Sequence, residues 1–108
     1  MNTRLTLCAL VLLVSGCFGP KPRVVRVEMQ RLEGGHDVYI VTAEIHNREG
    51  GDGQVSIQGK LIERSSGKTY RAQDKVHLGG HETTVVKLRI NAPLGNYKAE
   101  VSAEYPPE

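Results

Sequence analysis

The sequence predicts an all-β protein whose strands form two packed antiparallel sheets. From Arg23 onwards, apolar and polar residues alternate with a period of two in successive short segments, which is typical of strands with one face in water. Segments rich in Gly, Asn, Ser and Pro separate these runs, and such residues favour the tight turns between strands. No part of this region has the hydrophobic period of a helix. Together these observations favour a small β-sandwich.

Each segment places its apolar residues on one predicted face. The first segment, VVRVEM, has Val25, Val27 and Met29 on the face opposite Arg26 and Glu28. The other predicted inward sets are, in chain order, Tyr39, Val41, Ala43 and Ile45; Val55, Ile57, Gly59 and Leu61; Tyr70, Ala72, Val76 and Leu78, interrupted by Asp74; Thr84, Val86, Leu88 and Ile90; and Tyr97, Ala99, Val101, Ala103 and Tyr105. About six to seven strands of this spacing predict an immunoglobulin-like or fibronectin III-like sandwich, with a small barrel as the alternative.

The last segment begins with a tyrosine that has two interpretations. Gly95, Asn96 and Tyr97 have the order of a tyrosine corner, in which a Tyr hydroxyl donates a hydrogen bond back to the backbone. Tyr97 is equally well explained as an aromatic residue that faces the core.

The beginning of the chain has the anatomy of a secretory signal peptide. Arg4 is the one charged residue before the apolar run Leu7–Val14, and the small residues Ser15 and Gly16 follow that run. This order of charge, apolar run and small residues is typical of exported proteins. The run is shorter than the ~20 residues that a membrane-spanning helix needs.

The residues Val14-Ser15-Gly16-Cys17 resemble the lipobox of bacterial lipoproteins. The resemblance implies cleavage of residues 1–16 and a lipid on the Cys17 thiol, so that the chain is anchored to a membrane. Phe18 and Gly19 follow, without an Asp at the second mature position. By resemblance to Gram-negative lipoproteins, this implies the outer membrane, facing the periplasm, if the host has one.

The alternative is that Cys8 and Cys17 are ordinary buried or disulfide-bonded cysteines. Cys8 lies in the apolar run and is lost on cleavage. Cys17 is then an unpaired thiol in an oxidising compartment, which calls for an explanation, and lipidation supplies one.

The chain therefore divides into three predicted parts. Residues 1–16 are the signal peptide, residues 17–22 are the lipidated cysteine and a linker, and residues 23–108 are the sandwich. Six linker residues reach about 19 Å in extended conformation, so we expect the domain to lie close to the membrane surface.

A second resemblance covers about 80 residues of the predicted domain. Its stretches are VTAEIHNREGGDGQVSIQGKLIE, KVHLGGHETTVVKLRI and PLGNYKAEV. Their order is similar to that of bacterial immunoglobulin-like modules of the CARDB and FxLYD kinds. This resemblance implies the fold and leaves the function open, because the architecture has many unrelated roles.

The composition argues against several functions. A formal charge of +2 and 5% aromatic residues argue against a nucleic-acid partner, which needs a basic patch or a stacking platform. His77 and His81 flank a Gly-Gly turn, but two histidines make a weak metal site. No serine has the setting of a nucleophile, and no helix-opening glycine loop is present for a nucleotide. We therefore predict no enzymatic activity, no cofactor and no metal.

Three functional hypotheses remain. The first is a lipoprotein that presents a non-catalytic module to another envelope protein. The second is a structural or assembly accessory of an envelope complex, in which an edge strand pairs with a client strand. The third is a small ligand- or metal-binding module. For the first, the Gly-rich segment Asn47–Gly53 is the predicted contact, through Arg48, Glu49 and Asp52; a plain solvated connector is the alternative.

Overall fold

The computed structural model describes residues 19–32 and 37–107, and all of its regular elements are strands. Their bounds are Pro22–Arg31 (β1), Val38–Asn47 (β2), Gly53–Glu63 (β3), Thr69–Leu78 (β4), Thr83–Asn91 (β5) and Tyr97–Glu104 (β6). They form two three-stranded antiparallel sheets, in the orders β1-β2-β5 and β4-β3-β6. The prediction of a small all-β sandwich is confirmed.

The strand order resembles that of immunoglobulin-like sandwiches in part. In the constant-type domain the first, second, fourth and fifth strands share one sheet, whereas here β4 lies in the sheet with β3 and β6. Here β1–β2 and β3–β4 are hairpins, while the connections from β2 to β3, β4 to β5 and β5 to β6 cross between the sheets. In the described residues, no helix is long and apolar enough to cross a membrane.

The core lies between the sheets and is built mainly from the predicted inward residues of β2, β3 and β5, with Leu78 of β4 and Tyr97 of β6. Those of β2 and β3 are almost completely buried, as are Val86, Leu88 and Ile90 of β5. Gly59 shows how closely the sheets approach, because a Cβ at residue 59 would lie 2.6 Å from Leu88 Cδ1. The Leu88 side chain of one sheet thus packs on the bare backbone of the other, and any side chain at residue 59 would require Leu88 to shift.

β1 departs from the predicted alternation. A register shift lies between Val24 and Arg26, so that Val25 is an extra residue in the strand, as in a β-bulge. Val24 packs against the core instead of Val25, which is 47% exposed. The prediction that Val25 faces inward with Val27 and Met29 is therefore wrong.

The folded domain begins before Arg23. Pro20 is buried and β1 starts at Pro22, so these residues of the expected linker are part of the fold. Cys17, the residues of the proposed signal peptide, and Phe18 lie outside the described residues.

Candidate interaction surface

The Asn47–Gly53 segment is held by a buried asparagine side chain at the end of β2. Asn47 Oδ1 accepts hydrogen bonds from the N–H groups of Lys21 (3.1 Å) and Glu49 (3.0 Å). Its Nδ2 group donates to the carbonyl oxygens of Gly51 (2.8 Å) and Gly79 (2.9 Å). The side chain is fully buried, and a buried amide with four partners is a strong local constraint.

Backbone hydrogen bonds fasten the same segment to two others. The Arg48 N–H donates to the Lys21 carbonyl oxygen (3.1 Å), and the His81 N–H donates to the Glu49 carbonyl oxygen (2.9 Å). His81 holds a left-handed backbone conformation, with φ of 56°. The loop is therefore built against the incoming chain and the β4–β5 turn, and it is a fixed element of the surface.

The three predicted contact residues lie in this loop. Glu49 Oε2 is 3.9 Å from Lys21 Nζ, and Asp52 Oδ2 is 3.2 Å from His77 Nε2. Arg48 is exposed. All of these side chains are well solvated, and such pairs contribute little to stability. Their role in partner contact stays a prediction.

The loop lies beside the start of the described chain. Lys21, whose backbone N–H bonds to Asn47, follows Cys17 by four residues in the sequence.

His77 forms its close contact with Asp52 rather than completing a metal site. Within residues 19–32 and 37–107, no group of three or more His, Cys, Asp or Glu residues could hold a metal ion. A histidine–carboxylate pair gives fewer ligands than a stable zinc site uses.

At the opposite end of the sandwich, Tyr97 fits both of its predicted roles. It is buried, and its hydroxyl donates to the Pro93 carbonyl oxygen (2.6 Å). Its ring meets that of Tyr39 edge to face at 5.2 Å, and the Gly95 N–H donates to the Tyr39 hydroxyl (3.2 Å). Burial, followed by the neighbouring Tyr70 hydroxyl, raises the pKa of Tyr97. These contacts hold the β5–β6 connection in place, so the cluster of Tyr39, Tyr70 and Tyr97 has a structural role.

Comparisons with protein families, curated proteins and solved structures find no match to this chain.

Proposed function

We propose that this protein is a bacterial envelope lipoprotein, anchored through Cys17, that presents a non-catalytic β-sandwich for contact with another protein. The observation that carries the proposal is that only a few residues separate the lipobox-like motif from the first buried residue of the fold. Pro20 is already buried, and the Lys21 N–H bonds to Asn47. A cysteine followed within a few residues by an ordered domain is suited to display that domain directly at a membrane surface.

The described polar groups support a non-catalytic role, because the buried ones among them have structural partners. All four hydrogen-bonding positions of the Asn47 amide are used within the loop region. The Tyr97 hydroxyl closes the β5–β6 connection. A cleft of about 410 Å³ on the β3–β6 surface contains Lys60 and Glu100, which pair with each other at 3.7 Å. A catalytic group instead needs a free position facing a substrate.

The proposed location follows from the residues after Cys17. By resemblance to Gram-negative lipoproteins, the absence of Asp at the second mature position supports an outer-membrane location, facing the periplasm, if the host is Gram-negative. The second candidate function, an assembly accessory that pairs an edge strand with a client strand, is favoured by the outer edge of β6, whose ladder with β3 is regular.

The anchor is tested by labelling the full chain with radioactive palmitate in a bacterial host. We expect label in the wild type and in Cys8→Ser, because residue 8 lies in the cleaved segment, and no label in Cys17→Ser. We also expect density-gradient fractionation to place the labelled protein with outer-membrane markers in a Gram-negative host. Label in Cys17→Ser would refute the anchor, and fractionation with inner-membrane markers would refute the location.

The loop contact is tested by affinity capture from detergent-solubilised membranes. Arg48, Glu49 and Asp52 are replaced together by Ser, which leaves the backbone bonds of the loop and the Asn47 side chain in place. Loss of a partner that the wild type captures, with an unchanged melting temperature, would support the loop. Retention of that partner would refute it.

A further inference from the structure

The described part of the sandwich has four edge strands, and three of them carry features that hinder pairing with another strand. β1 is interrupted by the bulge at Val25. In β4, Asp74 lies opposite the buried Ile57 and so is on the inner face of its strand, with its side chain exposed at the sheet edge. On its outer face β5 carries the two positive charges of Lys87 and Arg89. Bulges and charged residues on edge strands, including charges on the inner face, are means by which proteins keep sheet edges from associating.

β6 is different, because its ladder with β3 is regular from Tyr97 to Glu104. Its free backbone groups can be assigned from the hydrogen bonds that continue this ladder. The Arg64 N–H donates to the Asn96 carbonyl oxygen (2.9 Å), and these residues are directly opposite in the same register. In an antiparallel ladder, bonded pairs alternate with non-bonded pairs. Even-numbered β6 residues therefore bond to β3, and Ala99, Val101 and Ala103 direct their N–H and C=O groups outward.

The sequence of β6 is close to symmetric about Val101. Ala99 and Ala103 lie two residues on either side of it, and Lys98 and Glu104 lie three residues on either side. In an antiparallel pair of β6 strands centred on Val101, each outward-directed residue would meet another outward-directed residue. Lys98 of each copy would lie opposite Glu104 of the other, as an oppositely charged cross-strand pair.

We propose that the partner of the β6 edge is a second copy of this chain, paired antiparallel about a two-fold axis at Val101. The three outward residues of each strand then form about six backbone hydrogen bonds. The two sheets that contain β6 join into one continuous six-stranded sheet. This interface is isologous, as the commonest protein dimers are.

The charges select this register over its neighbours. A shift that centres the axis on Glu100 places two Glu100 carboxylates opposite each other. A shift that centres it on Ser102 places Glu100 opposite Glu104. A parallel, in-register pair brings Lys98, Glu100 and Glu104 each against its own copy. Like charges directly opposite each other destabilise strand pairs, so the arrangement centred on Val101 is preferred.

Apolar side chains at the same side of the sandwich support an interface here. β1 lies across from β6, and its core-facing Val27 and Met29 are 36% and 38% exposed. Val101 is itself incompletely buried against the core. A second copy joined along β6 would bring a matching set of these side chains to the seam, where they would lose contact with water.

The test is a cysteine cross-linking scan of the full chain in host membranes, with single replacements at Ala99, Val101 and Ala103. Directly opposite residues of a bonded pair have Cα atoms about 5.5 Å apart, within the range of a disulfide. Residues 99 and 103 would each lie about 13 Å along the strand from their own copies. We expect Val101→Cys to form a disulfide dimer and the other two variants to remain monomeric. No Val101→Cys dimer, equal cross-linking at all three positions, or an adduct with a different protein would each overturn the proposal.

A charge exchange in the Val101→Cys background tests the register independently. Lys98→Glu and Glu104→Lys should each reduce dimer formation by about tenfold, because both symmetric pairs become repulsive. The double exchange should restore it, although it does not restore the Lys98–Glu100 contact within one chain (3.4 Å). Arg71→Glu makes the same charge change on the exposed face of β4 and should have no effect. Failure of the double exchange to restore the dimer would refute the pairing.

This inference names a partner for the proposed interaction module. The two fail separately: palmitate labelling of Cys17 without a Val101→Cys dimer would leave the anchor standing and remove the dimer. A Val101→Cys dimer in a chain that takes no label would support the dimer and refute the anchor.

Discussion

Replacing Asn47 by Ala should be one of the most destabilising single changes in the domain. The substitution removes four hydrogen bonds from a fully buried position. Each such bond contributes about 0.5–1.5 kcal/mol net, so the expected loss is about 2–6 kcal/mol. The whole stability of a domain is about 5–15 kcal/mol. In a domain of this size each kcal/mol lowers the melting temperature by about 4–8 °C, so the melting temperature should fall by at least about 8 °C.

Asn47→Asp separates the hydrogen bonds from the shape of the side chain. It keeps an acceptor for the N–H groups of Lys21 and Glu49, but it directs a second oxygen at the carbonyls of Gly51 and Gly79. The ionised form should therefore be destabilised. Because those carbonyls disfavour the charge, the pKa of the new carboxyl should be higher in the folded than in the unfolded state. The folded state then binds more protons, and the variant should regain stability as the pH is lowered through this pKa.

Thermal and urea denaturation followed by circular dichroism measure both effects. Asn91→Ala is the matched control, because Asn91 lies at the exposed end of β5 and should tolerate the same change within about 0.5 kcal/mol. Hydrogen exchange at the Lys21 and Glu49 amides should accelerate in Asn47→Ala. Melting of Asn47→Ala within about 2 °C of the wild type would refute the argument that this side chain holds the loop.

Two further predictions concern the core and the tyrosine cluster. Leu88→Ala should cost about 2–5 kcal/mol, whereas Lys87→Ala, on the exposed face of the same strand, should cost little; equal urea midpoints for the two variants would show that the register is wrong. Because burial raises the pKa of Tyr97, the unfolded state loses its phenolic proton first, so the contribution of Tyr97 to stability should be constant below about pH 10 and fall above it. Tyr97→Phe should make this alkaline loss shallower in pH-dependent denaturation, and an unchanged profile would contradict the cause assigned to it.

The strands and their inward faces could be predicted because strict alternation of apolar and polar residues fits few structures other than a strand with one buried face. Val41, Ile57 and Leu88 are buried as expected, since an alternating strand with one wet face has one possible core side. β1 was the exception. Because Val24 and Val25 are adjacent, either could begin the inward-facing set, and the bulge places Val24 inward before it and Val27 and Met29 inward after it. A bulge is a tertiary adjustment of the strand to its partner, and a single segment carries no signal for it.

Strand pairing could not be predicted from the individual segments. The turns at Gly79 and Gly95 have the composition of hairpin loops, yet both connections cross between the sheets. A glycine-containing turn is compatible with either path. Which strands become edges depends on these paths, so the open β6 edge was not visible in the sequence.

The burial of Asn47 could have been predicted from the alternation of β2, although the composition of the loop does not indicate it. Asn47 continues the inward phase of Val41, Ala43 and Ile45, so alternation alone places it on the core side. A polar residue at such a position needs hydrogen-bond partners, and the Gly-rich segment that follows supplies one of them from Gly51. The charges and glycines of the segment indicate a connector or a contact loop, whereas the inward phase of Asn47 indicates a buried anchor for it.

If Cys17 carries a lipid and β6 pairs as proposed, the two features together constrain how the protein lies on a membrane. β6 runs from the Tyr97 end of the sandwich to the end where the chain enters, and Glu104 lies with Pro20 at one cleft there. In an antiparallel pair centred on Val101, the two Glu104 residues are about 20 Å apart along the strands. The two entry points therefore lie at opposite ends of the joined sheet.

Both anchors can reach one membrane when the two-fold axis lies along the membrane normal. The strands then run parallel to the surface, and a sheet face, rather than one end of each sandwich, is turned towards the lipid. A parallel pair would let both copies stand upright, but it places like charges opposite each other along the whole strand. The cross-linking scan distinguishes these orientations, because the upright parallel pair joins residues 99, 101 and 103 equally and the flat antiparallel pair joins residue 101 alone.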